Sequence, residues 1–183
     1  MRILQMQFSS RPCCDNLLDM TEQISEPDAV PSVPMTGVLL GIDYGTKRVG
    51  VAVSDRDQRF SSPLHNHERH GLHVDERFFR KVVDEYGPVG LVVGLPIHLS
   101  GDESEKSKEA RLFAKWLTGV TGLPHTFQDE RFSSFYAQKL LMAAEMSAKK
   151  RKQRMDKLAA QILLQAFLDA RIAAVAKAAQ TVE

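Results

Sequence analysis

Cysteine is nearly missing from this 183-residue chain, and the two it has, Cys13 and Cys14, are adjacent. Neighbouring thiols in a stretch without helix or strand period build neither a disulfide framework nor a four-ligand zinc site, so a reducing, cytoplasmic setting is expected. An excess of one charge is missing too: 24 Lys and Arg side chains nearly cancel 23 Asp and Glu. Net charge therefore neither favours nor excludes a polyanionic partner, and charge placement must decide. No stretch reads as the roughly 18 consecutive apolar residues of a membrane span, and the start MRILQMQFSS lacks the apolar core of a secretory signal, so no membrane association is expected. No internal repeat is present, and the length suits a single domain.

What is there begins late in the chain. Residues 1–36 mix polar residues with Pro31 and Pro34 and show no period, which predicts a disordered extension ahead of a domain over residues 37–178. Met35 stands just before that boundary, so residues 1–34 are expected to be an artefact of start-codon choice. Mass spectrometry of the native N-terminus checks this, and a peptide from residues 1–34 would overturn it.

Val38–Ile42 is apolar without alternation, as in a strand covered on both faces. After the turn-like Tyr44-Gly45-Thr46-Lys47, Val49–Val53 alternates large and small residues and predicts a strand hairpinned to the first. A third, weakly patterned strand falls near Phe60–Leu64. Val74, Phe78, Phe79, Val82, Val83 and Tyr86 recur at helical spacing, ended by Gly87-Pro88. A strand over Val89–Leu95, a helix over Asp102–Leu117, a strand over Leu123–Gln128 and helices over Ser133–Met146 and Asp156–Ala178 complete the pattern. The fold class predicted is α/β, with one five-stranded mixed sheet flanked by helices.

That layout puts Asp43 at the end of the first strand, Glu130 just past the fifth and Asp156 at the start of the last helix, where strand ends side by side would let all three converge. Each has a plainer reading: a turn Asp, a surface acid beside Asp129 and Arg131, and a helix N-cap. Together they form a set of hard oxygen donors of the kind Mg²⁺ and Mn²⁺ prefer. Two such ions about 4 Å apart clamp the attacking and leaving oxygens of a phosphodiester. Without metal the three carboxylates repel one another.

Basic residues stand where such a site needs them. Lys47 and Arg48 follow Asp43 within one turn, Arg131 follows Glu130, and Lys149, Lys150, Arg151, Lys152 and Arg154 lead into Asp156. The last group reads as a flexible basic arm that neutralises phosphates, with a merely solvated segment as the plainer alternative. Few aromatics lie near either cluster, so contacts to the nucleic-acid backbone are expected rather than base stacking. In the last helix Ala159, Ala160, Leu163, Leu164, Phe167 and Leu168 share an apolar face in register with Asp156. His65, His67, His70 and His73 lack a zinc-ligand spacing and read as an exposed loop. His98, at a strand end, reads as a loop histidine or a proton carrier.

Gly41-Ile-Asp-Tyr-Gly-Thr-Lys-Arg-Val-Gly-Val-Ala-Val-Ser-Asp55 resembles the YqgF family of Holliday-junction-resolvase-like proteins, associated with nuclease processing of pre-16S rRNA. Val92-Val-Gly-Leu-Pro96, Asp129-Glu-Arg-Phe-Ser-Ser134 and Asp156-Lys-Leu-Ala-Ala-Gln-Ile-Leu-Leu-Gln165 agree in order and spacing, over about residues 37–172. The resemblance implies an RNase-H-like fold, Asp43, Glu130 and Asp156 as catalytic and metal-binding acids with Mg²⁺ or Mn²⁺, and trimming of the small-subunit rRNA precursor at its 5′ end. The chain departs from the pattern at His98, where a polar residue such as Asn is usual, at Ser100, where an acid is usual, and at Ser133-Ser134, which replaces a Thr pair. Residues 1–36 have no counterpart.

Three rival readings remain. The Asp-x-Gly-Thr turn also opens actin-like and sugar-kinase ATPases, but those need two domains around a cleft. A non-cleaving nucleic-acid-binding module would not need all three acids. A DNA Holliday junction resolvase would, because phosphate contacts carry no sugar information. RNA is the expected partner, and the expected assembly is a monomer or weak homodimer.

Overall fold

The computed structural model describes residues 33–96, 104–129 and 148–180, with residues 148–157 described as helical backbone alone. The described elements are β1 Leu39–Tyr44, β2 Arg48–Ser54, β3 Ser61–Glu68, α1 Leu72–Tyr86, β4 Gly90–Leu95, α2 Glu105–Thr121, β5 His125–Asp129 and α3 Ala148–Gln180. The helix expected over Ser133–Met146 and the candidate His98 lie outside the described residues.

β1 is central, as its unbroken apolar run predicts. It pairs antiparallel with β2 and parallel with β4, in the sheet order β3-β2-β1-β4-β5. Alternation then sends Leu40 and Ile42 to one face and Leu39 to the other. On the first face Val49, Val51, Leu91 and Val93 meet Phe79 and Val82 of α1 and Phe113, Ala114 and Leu117 of α2. On the second, Leu39, Ala52 and Val92 pack against Ala160, Leu163, Leu164 and Leu168 of α3. A mixed sheet between helical layers, with an antiparallel β1–β3 meander and β4 and β5 parallel to β1, is the RNase-H-like fold the motifs implied.

Local chemistry sets the element ends. α2 starts at Ser104, whose Oγ accepts from the Ser107 amide at 3.1 Å, a side-chain N-cap. α1 ends at Gly87, in the left-handed region at φ 54°, with its N–H donating to the Val83 carbonyl, a termination glycine makes without strain.

Four expectations shift. β3 runs to Glu68 and absorbs His65 and His67, which are strand residues rather than a loop: His67 stacks on Phe78 at 4.0 Å and bonds Asp75 at 2.9 Å. The domain boundary moves back, because Val33 is buried against Leu39 and Gly90, so the fold uses residues ahead of Met35. α3 begins at Ala148, upstream of Asp156, so Asp156 is a helix-interior position rather than a cap, and residues 149–154 are helical rather than a flexible arm. Lys and Arg are good helix formers, which a charge run hides from periodicity analysis. Finally, Leu158–Gln180 is long and apolar enough by composition to cross a membrane, at a mean hydropathy of 1.5. Its first half is the helix that covers the sheet through Ala160, Leu163, Leu164 and Leu168.

Candidate active site

Asp43 is the next-to-last residue of β1 and lies on the α3 face of the sheet. The small residues around it leave room. Gly50 stands opposite Asp43 in the β1–β2 ladder, and a Cβ built on Gly50 would lie 3.3 Å from both Asp43 Cβ and Ala160 Cβ, and 3.6 Å from Asp43 Oδ2. The resulting open cavity, about 430 Å³, is lined by Asp43, Gly45, Thr46, Lys47, Arg48, Gly50, Asn66, Glu68 and Ala159.

Asp43, Lys47 and Arg48, singled out by the sequence, thus share one cavity. Lys47 and Arg48 are exposed, and among the described residues neither side chain forms an ion pair. Two exposed cations beside a carboxylate can neutralise phosphate oxygens while the acid holds a cation or a proton.

α3 reaches the cavity antiparallel to β1. Leu164 and Ala160 pack on Gly41, Ala160 approaches Gly50, and Ala159 lines the cavity. The helical repeat places position 156 one turn before Ala160 on the same stripe, and position 149 on that stripe beyond it. Positions 150 and 154 share a stripe with Gln161 and Gln165, which bond Ser61 and Arg59 around the start of β3. The side chains of Lys149, Lys150, Arg151, Lys152, Arg154 and Asp156 are not among those described. Glu130 and Arg131 lie outside the described residues, directly after Asp129 at the end of β5. On β5, His125 and Phe127 face α2, through Thr118 and Arg111, so Thr126 and Gln128 lie on the face that carries Asp43.

The opposite face pins the end of β1. Tyr44 packs on Phe113 at 4.9 Å between centroids, and Arg69 lies over both rings and donates to the Tyr44 hydroxyl at 3.3 Å. Burial, opposed by Arg69 and reinforced by Glu109, pushes the Tyr44 hydroxyl above its usual pKa, which keeps it protonated. Arg69 Nε in turn donates to Asp75 Oδ2 at 2.9 Å, and Asp75, fully buried, also bonds His67. A buried carboxylate needs such partners, and this pair fixes the last residues of β3 against α1.

Asn66, Glu68, Tyr44, Arg69 and Asp75 were not singled out by the sequence. The signal for Asn66 and Glu68 was cross-strand register: Gly50 opposes Asn66 and Arg48 opposes Glu68. Reading it required the true length of β3.

Among the described residues no group of three His, Cys, Asp or Glu side chains is placed to hold a metal ion, and of the three candidate carboxylates only Asp43 has a described side chain. Its oxygens, hard donors on an open cavity kept clear by Gly50 and Ala159, suit Mg²⁺ or Mn²⁺.

Comparison with known proteins agrees with the motifs. The RuvX family model, described as Holliday junction resolvase, matches residues 37–170. A Rhodopirellula baltica protein named "Putative pre-16S rRNA nuclease" is 45% identical over 137 residues, covering 75% of this chain and 79% of that one. A Koribacter versatilis protein of the same name is 40% identical over 148 residues, covering 81% and 94%. Among solved structures, Thermus thermophilus RuvC superposes with a TM-score of 0.44 at 15% identity, covering 74% of this chain and 96% of that one, and adds nothing to the assignment. The family model spans β1, the residues of the Asp43 cavity and α3 as far as residue 170, and the chain belongs to the RuvX family of Holliday-junction-resolvase-like nucleases.

Proposed function

We propose that this chain is a cytoplasmic, metal-dependent nuclease that hydrolyses RNA phosphodiesters, with pre-16S rRNA and its 5′ end as the substrate, and with Asp43, Glu130 and Asp156 as its catalytic acids. The observation that carries the reading is the Asp43 cavity: a carboxylate at the end of a central strand, two exposed cations between β1 and the start of β2 that form no ion pair among the described residues, and Gly50 and Ala159 keeping the space between them open.

Lys47 and Arg48 bind the backbone and orient the scissile phosphate over Asp43. Arg131 and the basic positions 149–154 extend the phosphate track. Asp43 sits on the central strand, which the buried core and the Tyr44 contacts hold in place, and this fixes the backbone that carries its carboxylate. Asp156 belongs to the same site through its place one turn before Ala160, and Glu130 through its place after β5, whose even-numbered positions share Asp43's face. Asp43, Glu130 and Asp156 would hold Mg²⁺ or Mn²⁺, which would supply positive charge beside the scissile phosphate and activate water for attack. With few aromatics at the cavity, contact is with backbone rather than base.

The test is cleavage of single-stranded RNA and of branched DNA by the full chain with Mg²⁺ or Mn²⁺. Asp43→Asn and Asp156→Asn are each expected to lower the rate about a hundredfold or more, with the unfolding midpoint little changed. Cleavage that survives either substitution, or that persists in chelator, removes the mechanism. Faster cutting of the branched DNA would return the function to junction resolution, and tight binding without cutting to the binding-module reading.

A further inference from the structure

The Asp43 cavity has a second wall that phosphate binding does not explain. Asn66 and Glu68 belong to the edge strand β3 and line the same cavity as Lys47 and Arg48. Both are exposed, and they stand two residues apart, on one face of the strand. Glu68 is the register partner of Arg48, the ordinary setting for a cross-strand ion pair, yet among the described residues its carboxylate pairs with no cation.

A carboxylate on the wall of a phosphate-binding cavity repels the phosphates themselves and is satisfied by a cation or by a hydrogen-bond donor in front of it, and of these a polynucleotide brings only the donor. Directly opposed positions in an antiparallel ladder stand about 5 Å apart, so a chain whose phosphate rests on Arg48 presents to Glu68 the sugar next to that phosphate. The neutral donor a sugar offers there is the ribose 2′-hydroxyl, which DNA lacks. Asn66 carries both a donor and an acceptor, so the hydroxyl oxygen and its proton can each find a partner on β3.

We infer that Asn66 and Glu68 are specificity-determining residues that read the ribose 2′-hydroxyl and give the site its preference for RNA. The inference rests on the nuclease reading of the same cavity and adds what phosphate contacts cannot supply, discrimination between sugars.

The test uses the full chain with a ribo- and a deoxyribo-oligonucleotide of identical sequence, and measures kcat/KM with Mg²⁺ and Kd in chelator. The wild type favours RNA by both measures. Asn66→Ala and Glu68→Ala each lower the RNA-to-DNA ratio about tenfold, the scale of one lost hydrogen bond to a charged or well-placed polar group. Glu68→Gln, which keeps an acceptor, retains part of the ratio. Lys47→Ala weakens both polymers together and leaves the ratio where it was. A wild-type ratio near one overturns the inference, as do variants that change both polymers in proportion. A loss that follows base identity, when poly(A) and poly(U) are compared with their deoxy counterparts, also overturns it and assigns Glu68 to base amino groups. If the wild type binds both polymers and cuts neither, the nuclease reading fails, while the Kd ratio still decides the sugar contact.

Discussion

At Gly41 the missing side chain is what allows α3 to touch the sheet. A Cβ there would lie 2.7 Å from Leu164 Cβ and 3.0 Å from the Ala160 carbonyl oxygen, and neither a Cβ nor a backbone carbonyl can swing aside. Gly41→Ala is therefore expected to destabilise the chain by about 1–3 kcal/mol. It should also lower cleavage, because the helix it displaces packs beside the Asp43 cavity through Ala159 and Ala160. Gly119, inside α2, has nothing within 4 Å of the same construction, so Gly119→Ala should raise stability by about 0.5–1 kcal/mol. Chemical denaturation of the two variants checks the pair, and equal signs would contradict the close approach at Gly41. Residues differ in the same way in how far the sequence discloses them. Asp43 stands out because an unbroken apolar run stops at it. Glu68 does not, because it looks like any surface acid until register sets it opposite Arg48.

Elements were legible in proportion to how much of their pattern is apolar. β1, β2, β4 and the core stripe of α1 follow from hydrophobic spacing alone. β3 was half seen because Pro63, His65, Asn66 and His67 are poor strand markers, and what holds it is pairing with β2 and the contacts of His67 with Phe78 and Asp75, contacts that tertiary structure creates. The start of α3 was missed for the opposite reason, since its first turns carry charges that suit a helix and show no period. Its helical state makes a prediction that a flexible arm would not. Lys152→Ala should reduce the log–log salt slope of nucleic-acid binding by about one, the loss of one phosphate contact. Lys152→Pro should cost a further tenfold or so in affinity at fixed salt, since proline breaks the helix and releases the charges ahead of it. Equal binding by the two variants, measured by fluorescence anisotropy, would restore the flexible arm.

Across the whole molecule the start of the described chain, the β2–β3 turn and the second half of α3 meet at one place. Arg171 of α3 donates to the Pro34 carbonyl at 3.0 Å, the Val33 carbonyl at 3.2 Å and Gln58 Oε1 at 2.9 Å, and also contacts the Met35 sulfur. Gln58, buried in the β2–β3 turn at a positive φ of 55°, donates to the carbonyls of Pro34 and Gly37. A left-handed glutamine is tolerated where such bonds compensate for the strain. Arg171→Ala removes the donor to the Val33 carbonyl and to Gln58 Oε1, and one of two donors to the Pro34 carbonyl, and should cost about 1–3 kcal/mol, with a fall in Tm of about 2–4 °C per kcal/mol. An unchanged Tm by calorimetry would mean solvent replaces the clasp. No sequence pattern announced it, because most of its acceptors are backbone carbonyls and its geometry exists only once the sheet has formed.

The burial of Val33 beside Gly90 and Leu39 has a practical corollary. Those residues begin β4 and β1, whereas Asp43 and the cavity lie where β1 finishes. Whatever is attached ahead of Val33 joins the molecule at the end of the sheet remote from the cavity. A purification handle or a fused fluorescent domain placed there leaves the entrance open to a long polynucleotide. The same cargo grafted into the Gly45–Lys47 turn would sit in the doorway.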